Sequence, residues 1–447
     1  MKPHILLINP WIHDFAAFDL WAKPLGLLYL AAMLRQARVE VRLLDCLDRG
    51  HPEAEAPRIK KDGLPGAGRW RREIIPTPPP LADVPRYFAR YGWPLALFRR
   101  EVAAGPKPDL ILVTSIMTYW YPGVTEAVGI VKEIWPDVPT VLGGIYATLC
   151  PEHARRHSGA DIVLAGPGEK SLPSILSGLA GIDTNGLKGW DWRSVWPALD
   201  LYPKLDFAPL LTSRGCPGKC PYCSSRLLFP FYTPRETSDV VSEIEDRYHR
   251  WSIRHFTFFD DALLIRSETH LMPILDEVCR RDIRISFHAP NGLHVNLITR
   301  ELAALMFQAG FKTIRLGLES LDPERQSLLG GKVLPGDFEA AVSRLLEAGF
   351  APHGIGVYIL CGLPGQDPAE LQATVEVVRA MGVRPYFAEY SPLPGTALWD
   401  QAVAASPFDL SGEPLYQNNS FFPCRGPGFS WREMWELKRE AKTFWVK

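Results

Sequence analysis

Ser213-Arg-Gly-Cys216-Pro-Gly-Lys-Cys220-Pro-Tyr-Cys223-Ser-Ser225 carries three cysteines at C-x3-C-x2-C spacing, directly after the apolar strand candidate at 208–212. One loop of this spacing can wrap a cubane iron–sulfur cluster and ligate three of its irons; a fully protein-bound 4Fe–4S cluster takes four thiolates. The remaining iron then keeps open coordination sites for a small molecule. A structural zinc site wants four Cys or His ligands, usually as two paired knuckles. No second C-x2-C exists here, and Cys46, Cys150, Cys279, Cys361 and Cys424 stand singly. A disulfide staple conflicts with so tight a loop and with cysteine usage of intracellular type. The run reads as a catalytic loop at a strand end, and the elements around it decide the fold.

The 447 residues leave room for two or three domains with large cores. Lys plus Arg (49) nearly cancels Asp plus Glu (50), so no net field attracts nucleic acid. The N-terminal apolar run is too short for a signal peptide. No stretch approaches the ~20 apolar residues of a membrane span, and the cysteines form no secreted framework. A cytoplasmic protein without membrane or nucleic-acid partners is expected. The 14 tryptophans, several of them in loops, can serve a large planar ligand or cover a core.

Strands alternate with helices from residue 5 to residue 179, which argues for a parallel sheet covered on both faces. Its five strand candidates favour a flavodoxin-like winding with ligands at the carboxyl ends. An insertion at 48–108 interrupts the pattern and carries a helix expected over 84–103, aromatic through Tyr87, Phe88, Tyr91, Trp93 and Phe98. A linker follows at 186–205. Six further strand–helix units from 206 to 396 fall short of the eight of a closed barrel, so an open partial barrel is expected. A tail at 397–447 ends in a helix expected over 431–444. The fold class is α/β, with domains at 1–185 and 206–396.

The cysteine run resembles the cluster loop of the radical S-adenosylmethionine (SAM) superfamily, in which the open iron chelates the amino and carboxylate groups of SAM. Other ordered motifs share the resemblance from about 211 to 398: Asp260-Asp261, Asn291-Gly292, Gly317-Leu-Glu319-Ser320, Cys361-Gly362-Leu-Pro-Gly365 and Ser391-Pro-Leu-Pro-Gly-Thr396. It implies a [4Fe-4S] cluster on Cys216, Cys220 and Cys223. It also implies SAM contacts from Tyr222, Asp260, Asp261, Asn291, Glu319, Ser320 and Gly362, with the acids at the methionine amino group and ribose hydroxyls. Plainer readings stand beside these: helix capping by Asp261, and an ion pair of Glu319 with Arg315 or Lys332. For Cys424, simple packing competes with a place near the cluster.

The N-terminal part resembles the cobalamin-binding domain that precedes many radical SAM barrels. Four stretches carry this: Lys23-Pro24-Leu25-Gly26, Thr114-Ser115-Ile-Met-Thr118, Leu142-Gly143-Gly144-Ile-Tyr146-Ala147-Thr148, and Gly166-Pro-Gly-Glu169-Lys170. Pro24, Leu25, Gly26, Ser115, Thr118, Gly143, Gly144, Tyr146, Ala147 and Glu169 are the implied cobalamin contacts. Glycines let backbone approach the ligand, and helix N-termini favour its phosphate. Tyr146 replaces a common histidine, and no Asp-x-His-x-x-Gly run occurs, so a cobalt without a protein histidine is implied. A Rossmann-like domain that holds no corrin is the alternative. The aromatic loop Trp11–Trp21, with His13, Asp14 and Asp19, can wall a ligand or simply pack.

Together the resemblances imply reductive cleavage of SAM to a 5′-deoxyadenosyl radical and methyl transfer from methylcobalamin to an unactivated carbon. The substrate would be a small molecule or peptide, and the electron donor a flavodoxin or ferredoxin. Alternatives are non-methylating cobalamin chemistry (ring formation, ring contraction or oxidation), a methylthiotransferase relative, and a non-catalytic cobalamin or iron–sulfur sensor. A methylthiotransferase would call for a second cluster and a basic RNA-binding module.

Overall fold

Leu6 and Ile8 lie in one apolar core of the computed structural model, and their neighbours Ile5 and Leu7 lie in another. Strand alternation sends successive side chains to opposite faces, so two buried cores on one strand mean a sheet covered on both sides. The structure describes residues 2–57, 63–425 and 431–443. It divides into two compact units, Met1–Asp206 with Ser411–Phe421, and Phe207–Leu410 with Phe422–Lys447.

The first unit holds a parallel sheet of β1 (His4–Asn9), β2 (Glu40–Asp45), β3 (Leu110–Val113), β4 (Thr140–Leu142) and β5 (Ile162–Val163). Their spatial order is β2-β1-β3-β4-β5, the flavodoxin-like winding expected, with its switch point between β1 and β3. Leu27, Leu34 and Leu176 of helices Leu25–Gln36 and Gly168–Leu179 join the core with Ile5 and Leu7. Phe98 and Val128 of helices Leu95–Ala104 and Tyr121–Ile134 join the core with Leu6 and Ile8.

The insertion departs from the helix expected over 84–103. Ala89–Tyr91 is instead the central strand of a small antiparallel sheet, between Ile12–Asp14 and Arg72–Ile74, and the helix starts only at Leu95. Gly92 at φ +123° and Pro94 ahead of the helix supply the break, because proline disfavours a helical residue before it. Residues 186–205 are packed rather than extended. The Ala198 amide donates to Leu28 O at 3.1 Å, and the Tyr202 hydroxyl donates to Asp45 Oδ2 at 2.6 Å. The tail segment Ser411–Phe421 also belongs to this unit, with Asn418 Nδ2 on Asp14 Oδ1 at 3.0 Å and the Tyr121 hydroxyl on Glu413 Oε1 at 3.1 Å.

The second unit is a parallel sheet of β6 (Ala208–Leu210), β7 (His255–Phe258), β8 (Ser286–His288), β9 (Phe311–Glu319), β10 (Ile355–Cys361) and β11 (Arg384–Glu389). The strands lie in sequence order, and Leu293–His294 adds a short pairing to β9. Each strand sits beside its successor, the winding of a partial barrel. The Tyr358 hydroxyl donates across β9 to Pro290 O beyond the end of β8, at 2.8 Å, which marks the concave face. Cys424 is a packed thiol, 3 % exposed, that burial pushes up to about 12. The tail helix runs Trp431–Thr443; residue 444 lies outside the described residues.

Candidate functional site

The cysteine run is the loop of a hairpin whose stems, Ser213–Arg214 and Thr233–Pro234, pair antiparallel just beyond β6. Gly215, at φ +81°, enters the loop where an added Cβ would stand 2.8 Å from Phe229 O, so only glycine fits. A Cβ on Gly218 would lie 3.2 Å from Cys216 Sγ and 4.0 Å from Cys220 Sγ, so both sulfurs gather over its bare Cα. The Gly218 amide donates to Cys216 Sγ at 3.3 Å, and the Ser225 amide to Cys223 Sγ at 3.5 Å. Burial pushes the Cys216 thiol up.

Two adjacent carboxylates after β7 hold this loop. Asp260, 2 % exposed, accepts from Thr212 N at 3.1 Å, Thr212 Oγ1 at 2.7 Å and Ser213 Oγ at 2.6 Å. Asp261 accepts from the Gly215 amide at 3.2 Å and the Ser225 hydroxyl at 2.9 Å, one on each side of the cysteines. Asp261 thus staples the loop rather than capping a helix. Asn291 Nδ2 donates to Asp260 O at 3.0 Å, which ties the β8 end to the β7 end.

Glu319 closes β9 at φ +69° and is 8 % exposed. A non-glycine residue held there stores of order 1–3 kcal/mol of strain. Lys332 Nζ pairs with its Oε1 at 2.6 Å and donates to the Tyr222 hydroxyl at 3.2 Å. Burial and the nearby Glu319 carboxylate push the Tyr222 phenol well up. Gly362 turns after β10 at φ +82°, its amide on Gln366 Oε1 at 2.8 Å. Tyr222, Asp260, Asp261, Asn291, Glu319 and Gly362 therefore all stand on or beyond the carboxyl ends of the strands. Ser320 is different: its hydroxyl donates to Glu370 Oε1 at 3.0 Å and accepts from the Asp322 amide, so it ties the end of β9 to helix Pro368–Ala380.

In the first unit the glycines divide into two kinds. A Cβ on Gly144, at φ +92°, would stand 2.7 Å from Ser115 N, so this glycine serves contact between two backbone loops. The same loops are joined by the Ser115 hydroxyl on Gly143 O at 2.8 Å and the Ile145 amide on Ser115 O at 2.8 Å. Among the described residues, Gly26, Gly143 and Gly166 have nothing within 4 Å of their Cβ positions. The Thr118 hydroxyl is fully buried with no hydrogen-bond partner among the described residues. Pro24 precedes helix Leu25–Gln36, Leu25 opens it, and Glu169 stands in the first turn of Gly168–Leu179. Tyr146 and Ala147, expected against a corrin, lie in the core instead. The Tyr146 hydroxyl meets His153 Nδ1 at 2.7 Å, and its ring stacks on Tyr121 at 5.6 Å. Their place inside a helix, directly after the Gly143-Gly144 turn, points them at the sheet.

Residues 210–378 match the Radical SAM superfamily, and residues 98–176 match the B12 binding domain. The chain belongs to the cobalamin-binding radical SAM enzymes. Their cofactors are a [4Fe-4S] cluster, SAM and cobalamin, and they require a substrate and a reductant. An uncharacterised methyltransferase of Pyrococcus horikoshii is 27 % identical over 66 % of this chain and 70 % of its own length. An anaerobic magnesium-protoporphyrin IX monomethyl ester cyclase of Rubrivivax gelatinosus is 22 % identical over 68 % of this chain, which spans 60 % of that protein. Among solved structures, the radical SAM methyltransferase TsrM from Kitasatospora setae shares the fold at TM-score 0.66 and 20 % identity, over 91 % of this chain and 77 % of that one.

The donor sets of this radical SAM enzyme fit its cofactors. In a cubane each thiolate takes a different iron, and two sulfurs already converge over Gly218. Among the described residues no three His, Cys, Asp or Glu side chains are gathered around the place of a single ion. The bare glycines and the unmatched Thr118 hydroxyl suit a large ligand with polar edges. Sequence reasoning missed Ser225, which anchors the loop to Asp261, and His294, whose buried Nδ1, beside the Lys332–Glu319 pair, has no partner among the described residues. The signals were faint: the second of two serines after the last cysteine, and one histidine shortly after Asn291-Gly292. No described helix is long and apolar enough to cross a membrane.

Proposed function

We propose that this chain is a cobalamin-dependent radical SAM methyltransferase that methylates an unactivated carbon of a small molecule or peptide, with flavodoxin or ferredoxin as electron donor. The observation that carries it is the three-cysteine loop stapled by Asp261 at the carboxyl ends of a parallel sheet. When bound, the cofactors supply the chemistry: one-electron cleavage of SAM, and methyl donation from cobalamin.

The protein holds and orients them. Amides of Gly218 and Ser225 aimed at sulfur spread the negative charge of the thiolates, one of the levers that set a cluster's potential. Asp260 and Asp261 fix the loop, Glu319 offers an acceptor for the ribose hydroxyls, and Gly362 turns the backbone at the adenine edge, its Cα packed beneath the Phe422 ring. Tyr222 and Asn291 complete the SAM rim. Cobalamin would be held by Pro24, Leu25, Gly26, Ser115, Thr118, Gly143 and Glu169, with Gly144 shaping the loop. We assign 1–206 to the cobalamin unit and 207–410 to the radical unit.

The test is anaerobic reconstitution followed by incubation with deuterated-methyl SAM and dithionite. About four irons and one cobalt per chain, 5′-deoxyadenosine, and trideuteromethyl label on cobalamin are expected. Deoxyadenosine without labelled cobalamin would replace methyl transfer by the non-methylating reading, which the similarity to the Rubrivivax cyclase favours. Loaded cofactors that yield neither product would leave a sensor.

A further inference from the structure

Arg315 of β9, Gly356 of β10 and Arg384 of β11 form one row across three adjacent strands. Tyr358 and Tyr386 are paired in the next row. Register puts all five on the concave face that Tyr358 marks. The Arg315 guanidinium stacks on the Tyr386 ring at 4.4 Å and donates to its hydroxyl at 3.3 Å. The Arg384 guanidinium lies 4.9 Å from the centre of the same ring. A Cβ on Gly356 would stand 2.7 Å from Tyr386 Cε2 and 2.8 Å from Arg315 Cδ, so this glycine is what lets both side chains lie across the row.

Among the described residues neither arginine has a carboxylate within ion-pair distance; both lie on the Tyr386 ring, and Arg315 also meets the Ile314 carbonyl and the Tyr358 hydroxyl. All four side chains are half-buried. Two guanidinium groups on one phenol ring repel each other, and that repulsion grows as water is excluded. An oxyanion between them would remove it, because guanidinium forks match carboxylate and phosphate oxygens in bidentate fashion. The Tyr386 hydroxyl, which accepts from Arg315, keeps its own proton to donate, while the Tyr358 hydroxyl is spent on Pro290 O and only walls the row.

We propose that the Arg315–Arg384 row, with Tyr358 and Tyr386, binds the carboxylate or phosphate group of the substrate. The proposal rests on the radical SAM reading for the word substrate alone; the anion site stands on its own geometry. Arg315 precedes Glu319 by four residues, about 13 Å along a strand at ~3.3 Å per residue. The substrate class is therefore an elongated anionic molecule, gripped by its charged end below the cofactor rim with its reacting carbon reaching up to it.

The test uses the full-length chain without added cofactors, in a buffer free of phosphate and carboxylates. Inorganic phosphate and acetate are titrated by calorimetry, with phosphorus NMR line width as a second readout. One site per chain is expected, weakened at least tenfold in R315Q and again in R384Q, with the unfolding midpoint of each variant as its folding control. Should R315Q fail to fold, R384Q, at the first residue of its strand, carries the comparison. Tighter phosphate assigns a phosphorylated substrate, and tighter acetate a carboxylic acid. Absence of binding by both probes, or equal binding to wild type and variants, overturns the proposal. Because no iron, SAM or cobalamin enters the measurement, its failure would leave the methyltransferase reading untouched, and failed cofactor loading would leave this result standing.

Discussion

Lys332 Nζ stands 2.6 Å from Glu319 Oε1, with only 22 % and 10 % of the two side chains exposed. The pair holds a carboxylate in a left-handed backbone position at the end of β9 and ties it to the cluster loop through Tyr222. Truncating the lysine leaves a largely buried charge alone, which costs more than the pair contributes. K332M should therefore lose on the order of 2–3 kcal/mol in urea unfolding of the cofactor-free chain. The K332M/E319Q double variant should recover more than half of that loss. A double variant no more stable than K332M would show that the charge of Glu319 is not the source of the cost.

Asp260 and Asp261 are neighbours with separable duties. D261A removes two hydrogen bonds at partly exposed positions, about 1–2 kcal/mol, but frees both flanks of the cysteine loop at once. Iron should leave the reconstituted D261A protein to a chelator at least fivefold faster, while its unfolding midpoint moves little. D260A strands Thr212 and Ser213 donors in the interior, and should lower the midpoint before any effect on iron can be read. Equal iron release from D261A and wild type would remove Asp261 from the site.

Much of this was legible in the chain. Strict alternation of apolar strands and amphipathic helices announced both parallel sheets, since a strand buried on two faces reads as a short unbroken apolar run. The three cysteines announced the loop, because few other chemistries need thiols at that spacing. What stayed hidden was direction. Gly143 and Gly144 are identical in sequence, yet one faces open space and the other the backbone of Ser115. Tyr146 looked like a ligand residue and is core, because the helix turn after Gly144 sets its face and no periodicity spans so short an element. The Ala89–Tyr91 strand was masked by aromatic residues that suit either element, until Gly92 and Pro94 broke the chain.

Two buried histidines give the acid side of the stability profile a sign. Burial, with His255 and Lys312 adding to it, pushes His288 down to about 3. Burial, with His157 and Arg156, pushes His153 down to about 4. Both are neutral when folded and titrate near 6.5 when unfolded, so their contribution is complete above pH 6.5 and is lost as pH falls towards those values. Asp19, which burial raises to about 6, acts in the opposite sense between pH 6 and its unfolded value of 3.8. H288N should flatten the loss of stability between pH 6.5 and 4.5 in denaturant titrations; an unchanged slope would place the titrating groups elsewhere.

The glycine pair offers the sharpest separation of cofactor space from fold. Gly143 has an ordinary φ and no atom within 4 Å of its Cβ position, so G143L adds a side chain that the protein tolerates, within about 0.5 kcal/mol. If that space belongs to the corrin, the same side chain blocks it, and cobalamin affinity should fall at least tenfold in a spectroscopic titration with hydroxocobalamin. G144A meets a left-handed φ of +92° and the Ser115 backbone, which neither rotamer change nor small shifts relieve. It should cost at least about 2 kcal/mol whether or not cobalamin is present. Reversed outcomes, with G143L unstable and G144A silent, would mean that the open side of this loop is structural and that cobalamin, if held, is held elsewhere.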